Sequence, residues 1–453
     1  MGNITLGQAA QWCGGRVEEK YADIVFLGAN NDSRKLLPGQ LFIALEGVRD
    51  GHEFIPMALE KGAAAVLCRH TAGDYPAIVV EDPRIALGEI AAAYRQKLGM
   101  KVVGVTGSVG KSTTKEMIAA VLQGDYIVSK TPENHNNDIG MPMAILAMPE
   151  DTQIAVLEMG MNHFGEISYL TNIARPDVAV IVNIGTMHIE HLGSREGILK
   201  AKLEIMEGLK PGGKAFFNAD DDMLWGSRRE LGRKTFYFGK DNPDADLRAR
   251  VLRGEPGKLS FQVASEDDVF TVELPLEGEH YIPDALAAVS IGLHMGIAPQ
   301  RIRQRLAEFQ NMDGRQEIFE ARGLTIIKDC YNAGPESMAA ALRVLKNRPG
   351  RRIAVLGDML ELGDRTAQEH EKAGALAAEC ADVLLAFGPS REIMLAGAVA
   401  AGMDPENTGS FDSREAMAES LRRNCRQGDV LLFKGSHGMH MELVLEKFLN
   451  EEK

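Results

Sequence analysis

Between Lys101 and Met117 the chain reads KVVGVTGSVGKSTTKEM, an apolar run, a glycine-bearing turn, a lysine and then three hydroxyl residues. Backbone N–H groups of such a turn, held at the start of a helix, attract an anion. Thr106, Gly107, Ser108, Val109 and Gly110 make the turn, and Lys111, Ser112 and Thr113 open the helix. Lys111 is placed to neutralise terminal phosphates, and Ser112 or Thr113 can offer a hydroxyl to Mg²⁺. The strict phosphate-loop spacing GxxxxGK[ST] requires a first glycine where this chain has Val105; Gly104 and Gly107 stand nearby instead. The loop points to a nucleotide and leaves the reaction open. A glycine-rich turn with a serine helix cap is the plainer alternative.

Further candidates follow. Glu158 ends the apolar run IAVLE, where a parallel strand would aim its carboxylate into a ligand crevice. Carboxylate oxygens suit Mg²⁺, although a strand-end charge is equally a solvated residue. His188 and His191 lie in NIGTMHIEHLGSREGILKAKLEI, ahead of a helical stretch carrying Lys200, Lys202 and Glu204. Two histidines three apart with no cysteine are weak evidence for zinc, and the lysines read as a solvated helix face. Asn134, Asn136 and Asn137 crowd TPENHNNDIGMP between two prolines, as a tight turn or a ligand-contacting loop does. GxSxG, HExxH and nucleophilic Cys/His signatures are absent, so a covalent enzyme intermediate is unsupported.

The elements that must position these residues fall into three segments. Up to about Gly99, short apolar runs (QLFIAL, AAAVLC, AIVV) end in a helical stretch over 83–98. From Lys101, the strands KVVGVTG, TQIAVLEMG, DVAVIVNIG, KAFFNAD and TFYFG alternate with helices, which predicts a doubly wound, mostly parallel sheet. The polar section 241–273 predicts antiparallel strands or loops, and helices over 282–295 and 299–309 close the segment. After Asn311-Met312-Asp313-Gly314 the alternation restarts with GLTIIKDC, RRIAVLGDM, DVLLAFG and DVLLFKG, and the segment near Met312-Asp313-Gly314 is a hinge candidate. The expectation is an α/β protein of three domains: a small amino-terminal α/β domain (1–99), a central nucleotide-binding domain (100–314) and a Rossmann-like carboxy-terminal domain (315–453).

Composition agrees with an ordinary globular chain of 453 residues, 45% hydrophobic and 25% charged. Fifty Lys plus Arg against 64 Asp plus Glu give a net charge of -14, which argues against a nucleic-acid or anionic-membrane surface. The first residues lack the charged and apolar regions of a signal peptide, and no apolar run is long enough to span a membrane. Five scattered cysteines, odd in number, read as reduced thiols and a cytoplasmic location.

Taken together, several segments resemble the Mur ligases, the ATP-dependent amide-forming enzymes of bacterial cell-wall precursor synthesis. DSRKLLPGQLFIALEGVRDGHEFIPMALEKGA is similar to the family's uridine-nucleotide-binding domain, which puts Ser33 and Arg34 at the substrate. TGSVGKSTTKEM resembles the family's own phosphate loop, and TPENHNNDIGMP its asparagine loop, with Glu133 in place of a common glycine. By that resemblance Asn136 and Asn137 contact substrate, and Ser112, Glu158 and His188 ligate Mg²⁺. Lys202 falls at the family's carbamylated lysine, where CO₂ turns a cation into a carboxylate for a second Mg²⁺.

DCYNAGPESMAAAL, AVLGDMLELGDRTAQEH and KGSHGMHME resemble the family members that add D-alanyl-D-alanine, and the DNPR motif of the diamino-acid-adding relative is missing. Arg315 and Asp329 match positions that reach the nucleotide from across a domain gap. The resemblance implies an ATP-dependent peptide ligase that joins D-alanyl-D-alanine to UDP-N-acetylmuramoyl-tripeptide through an acyl phosphate, with Lys111, Lys202 and His188 catalytic, acting as a monomer with small-molecule partners. The tripeptide-forming ligase, a folylpolyglutamate-synthase-like enzyme and a phosphate-loop ATPase switch are the alternatives. Three departures stand out: His280, Tyr281 and Asp284 where HNxxN is usual, Gly334 where asparagine is frequent, and His437 where KGSR is usual. They are expected to alter the adenine and substrate contacts and to leave the phosphate and metal residues untouched.

Overall fold

A computed structural model describes residues 4–231, 235–255, 257–266 and 268–450. In the amino-terminal part, β1 (Ile4–Thr5) and β2 (Val25–Phe26) form an antiparallel pair. Next to it, β3 (Ala29–Asn30), β4 (Leu41–Ile43), β5 (Ala65–Cys68) and β6 (Ala77–Val79) make a parallel sheet in chain order. The helix Pro83–Leu98 runs as its pattern predicts, started by the Asp82 carboxylate and stopped by Gly99 in the left-handed region. It joins this part to the next: Tyr94, fully buried, donates its hydroxyl to the Met148 carbonyl at 2.9 Å.

The central sheet has nine strands: β7 (Lys101–Thr106), β8 (Val128–Lys130), β9 (Ile154–Glu158), β10 (Val178–Ile181), β11 (Lys214–Asn218), β12 (Thr235–Gly239), β13 (Leu247–Glu255), β14 (Lys258–Ala264) and β15 (Val269–Leu274). Their spatial order is β15-β14-β13-β12-β11-β10-β7-β9-β8. Pairing is parallel from β8 to β13 and antiparallel through β14 and β15, as the polar section suggested. The strands Val102–Val105 and Ala155–Leu157 are buried on both faces, which is why they read as continuous apolar runs. The order reverses at β7, so its carboxyl end is the place where such sheets bind ligands.

In the carboxy-terminal part, β16 (Glu317–Ala321), β17 (Leu324–Asp329), β18 (Arg352–Gly357), β19 (Val383–Phe387), β20 (Thr408–Phe411) and β21 (Val430–Lys434) pack in the order β16-β17-β21-β18-β19-β20. Only the β16 edge is antiparallel. Among the described residues no helix is long and apolar enough to cross a membrane, and all five cysteines are free.

Candidate active site

Three neighbouring strands deliver the site. The phosphate loop leaves β7, Glu158 ends β9, and the loop through Asn183 and His188 follows β10. Together with residues after β17 they line a cavity of about 560 Å³ between the central and carboxy-terminal sheets.

The loop is shaped from both sides. Gly110, at φ +81, begins the helix Lys111–Leu122 in a backbone state that side chains disfavour. Asn183 holds the turn: its Oδ1 accepts from the N–H groups of Ser108 and Val109, both at 3.0 Å, and its Nδ2 donates to Val109 O. Thr106, at the end of β7, ties it to the residue after β9 by donating to Met159 O. Gly107 lies close against Val182, where an added Cβ would sit 3.0 Å from the valine Cβ. Lys111 folds back, donating to the carbonyls of Gly107 and Ser108 at 2.9 and 3.1 Å. Burial lowers its pKa, opposed by the charge of Glu158. Ser112 and Thr113 are buried in the first helical turn.

Glu158 is buried, with Asn136 Nδ2 donating to its Oε1 at 2.9 Å. Asn137 instead serves the turn: its Oδ1 accepts from the N–H groups of Ile139 and Gly140, starting the following helix. Both asparagines line the cavity. His188 is partly buried, and burial, reinforced by the charges of Lys111 and Lys202, holds its pKa near 4, so the imidazole is neutral. Lys202 is 2% exposed, and its side chain makes no hydrogen bond or ion pair among the described residues. Burial, then the charge of Lys111, drives its pKa well below the ordinary lysine value.

From the opposite side, Arg315 lies 3.8 Å over the Tyr331 ring and donates from Nη2 to Ser112 Oγ at 2.9 Å. Asp329 pairs with the buried Lys434 at 2.6 Å. Ser33 and Arg34 stand apart from this cavity: Ser33 Oγ contacts Met57 Sδ at 3.3 Å, and Arg34 closes on Asp32.

Asp284 corrects one expectation. It reaches the phosphate-loop helix, accepting from Thr114 Oγ1 at 2.6 Å, and a Cβ on Gly110 would lie 2.6 Å from its Oδ1. The departure from HNxxN therefore does touch the phosphate residues, because the helix that begins at Ile282 packs against the helix Lys111–Leu122. The His280 and Tyr281 rings lie 4.2 Å apart, tilted by 37°, and Asn311 Nδ2 donates to the tyrosine hydroxyl. Gly334 is explained by close approach, since a Cβ there would meet Met187 Cγ at 3.0 Å. His437 sits 6.3 Å from the Tyr331 ring.

Several participants escaped sequence reading. Asn183 looked like a strand-end residue, and its signal is visible only as a polar side chain after an apolar run. Lys115, fully buried, donates to Thr131 O at 2.7 Å and lies 3.9 Å from Glu158 Oε2. Glu336, next to the proline that starts its helix, accepts from both the N–H and the hydroxyl of Thr186. Among the described residues no group of three His, Cys, Asp or Glu side chains could hold a metal alone. The donor set nevertheless fits a magnesium–nucleotide complex: a buried carboxylate, a hydroxyl and a neutral imidazole line a phosphate-binding cavity. Lys202, buried and with its amine unpaired among the described residues, fits conversion to a carbamate.

Comparison with known proteins places this geometry. Residues 24–95 match the model described as Mur ligase family, catalytic domain; 105–292 match the Mur ligase middle domain, and 314–437 the Mur ligase, glutamate ligase domain. The UDP-N-acetylmuramoyl-tripeptide–D-alanyl-D-alanine ligase of Bacillus subtilis is 40% identical over 439 residues, covering 95% of this chain and 94% of that protein. Its namesake in Escherichia coli is 35% identical, covering 98% of each. The crystal structure of MurF from Acinetobacter baumannii superposes with a TM-score of 0.90 at 32% identity, covering 100% of both chains. MurF from Thermotoga maritima in complex with ADP gives 0.82 at 32% identity, covering 93% of this chain and 97% of that one.

Proposed function

The chain belongs to the Mur ligase family, and from that premise we propose that it joins D-alanyl-D-alanine to UDP-N-acetylmuramoyl-tripeptide at the expense of ATP. The γ-phosphoryl of ATP passes to the terminal carboxylate of the tripeptide, giving ADP and an acyl phosphate. The amine of D-alanyl-D-alanine attacks the acyl carbon, phosphate leaves, and the amine nitrogen loses its proton. A peptide bond results.

The carrying observation is that Lys111, Glu158 and His188 line one cavity with Arg315 and Asp329 of the carboxy-terminal sheet. Two anions must meet before phosphoryl transfer, and fixed positive charge is what makes that encounter favourable. Lys111 releases its two loop carbonyls to take the phosphates, which Thr106 through Thr113 cradle by backbone and hydroxyl groups. Arg315 and Asp329 hold the nucleotide from the other side. Ser112, Glu158, His188 and carbamylated Lys202 would hold the Mg²⁺ ions. When bound, these ions neutralise phosphate charge and polarise the transferring group. Asn136 keeps the Glu158 carboxylate oriented, and Asn137 shapes the loop that faces substrate.

In the same reading, residues 1–99 bind the uridine nucleotide, with Ser33 and Arg34 at it, 100–314 bind ATP, and 315–453 bind the dipeptide. The enzyme acts as a cytoplasmic monomer. Closure over the cavity protects the acyl phosphate from water. The test is phosphate release assayed with each acceptor. Release requiring both UDP-N-acetylmuramoyl-tripeptide and D-alanyl-D-alanine is expected; rapid turnover indifferent to the dipeptide would sink the ligase reading.

A further inference from the structure

Glu361 Oε2 of the carboxy-terminal part lies 2.7 Å from Nδ1 of His188, which lines the cavity from the central part. Both residues hold left-handed backbone, at φ +61 for His188 and +63 for Glu361. Non-glycine residues pay about 1 kcal/mol or more for that state, so each is over-determined by its surroundings.

Those surroundings are visible. On the Glu361 side, Met359 and Leu362 are buried, Met359 N donates to His370 Nε2 at 3.0 Å, and Leu360 N donates to Ser436 Oγ at 2.9 Å. On the facing side, Gly363 approaches so closely that a Cβ would lie 3.2 Å from Glu190 Cβ. A rigid loop therefore presents one carboxylate to one imidazole. The pair is not placed for folding stability: the Glu361 side chain is 53% exposed, and exposed pairs contribute little.

We propose that Glu361 is a positioning residue for His188. A neutral imidazole carries one proton, and a carboxylate facing Nδ1 draws it there, leaving the lone pair on Nε2 for a metal ion. In the present state the two atoms are close but out of line, and His188 Nδ1 has no hydrogen-bond partner among the described residues. A modest ring rotation completes the bond, as catalytic contacts do when ligands bind. Because the carboxylate comes from the carboxy-terminal part, the tautomer is set only when the two parts are docked. This couples the dipeptide-binding part to the metal site and rests on the ligase reading above.

The full chain labelled with ¹⁵N-histidine, with His188 assigned through His188→Gln, tests this by long-range ¹H–¹⁵N correlation. The wild type with ADP and Mg²⁺ should show the Nδ1–H tautomer. Glu361→Ala should shift it toward Nε2–H and weaken Mn²⁺ binding to the protein–ADP complex about 10–100-fold, the usual cost of losing a carboxylate behind a ligating histidine. Glu361→Gln keeps an acceptor oxygen and should preserve the tautomer, with Mn²⁺ affinity near wild type. An unchanged tautomer and Mn²⁺ affinity in Glu361→Ala overturn the proposal, as does a Glu361→Gln variant impaired to the same degree. A wild-type enzyme that shows the tautomer response but no dipeptide-dependent phosphate release would overturn the ligase reading alone.

Discussion

Asp284 accepts a hydrogen bond from Thr114 at 2.6 Å although 170 residues separate them, and its carboxylate closes the underside of the loop that grips phosphate. Burial pushes its carboxyl up to about 7, against the pull of the Thr114 hydroxyl and the Arg315 charge. The residue beneath the phosphate loop is therefore poised to titrate near neutrality.

The consequence is a pH-dependent stability. Between its unfolded value near 4 and about 7, the folded chain holds a proton that the unfolded chain has lost. Stability from this group is full below pH 4 and declines as pH rises through 7. Asp284→Asn keeps an oxygen for Thr114 and removes the titration. By calorimetry the variant should match the wild type near pH 4 and exceed it above pH 8 by up to about 4 kcal/mol. A gap that does not change with pH would contradict the assignment.

Lys202 gives a second prediction. An uncharged buried amine is the form that adds CO₂, and the carbamate it makes is an anion. Lys202→Ala should lose nearly all ligase activity, while Lys202→Glu should retain part of it by supplying a permanent carboxylate. In the wild type, ¹³C-bicarbonate should give a carbamate resonance that Lys202→Ala lacks. Equal, near-normal activity in both variants would remove the carbamate role.

These residues differ in how much of them the sequence discloses. Glycine and lysine chemistry is local, so the phosphate loop, its helix and the strands around it are legible from spacing. Lys202 is not: only burial separates it from Lys200, which lies 5.7 Å over the Phe164 ring on the surface. Family resemblance singles out Lys202, and of the two lysines it is the buried one. The Asp284–Thr114 contact depends on two helices packing, so the sequence pattern gives no sign that Asp284 reaches the phosphate-loop helix. The short edge strands Val128–Lys130 and Thr408–Phe411 also escaped, because half-exposed strands of three or four residues carry little periodicity.

Arg315 spans the gap through two contacts, the Ser112 hydroxyl and Glu133 at 3.8 Å from its Nε, while the Tyr331 ring of its own part supports it from below. A lysine keeps the charge and loses the planar fork and its stacking. Arg315→Lys should raise KM for ATP about tenfold, the equivalent of a desolvated cation–π contact of roughly 1.4 kcal/mol, with a smaller change in kcat. Steady-state kinetics with ATP varied would show the split; an effect confined to kcat would place Arg315 in the transition state instead.

Lys115 is the buried cation behind the candidate metal ligand. Its Nζ donates to Thr131 O, lies 3.2 Å from Glu116 Oε1 and 3.9 Å from Glu158 Oε2, and has no exposed surface. Thr131 in turn accepts the Glu158 N–H at 3.0 Å, so one lysine braces both the strand end and its carboxylate. Lys115→Met matches the stem and deletes the charge, leaving Glu158 buried without its nearest cation. Breaking a buried pair from one side costs about 3–5 kcal/mol, and the partial distance to Glu158 points to the lower end of that range. Chemical denaturation should therefore show a loss of roughly 3 kcal/mol with unchanged m-value. The double variant Lys115→Met/Glu158→Gln, which removes the orphaned charge, should recover part of that stability but no activity. Independent, additive losses would mean that the two residues do not act as a pair.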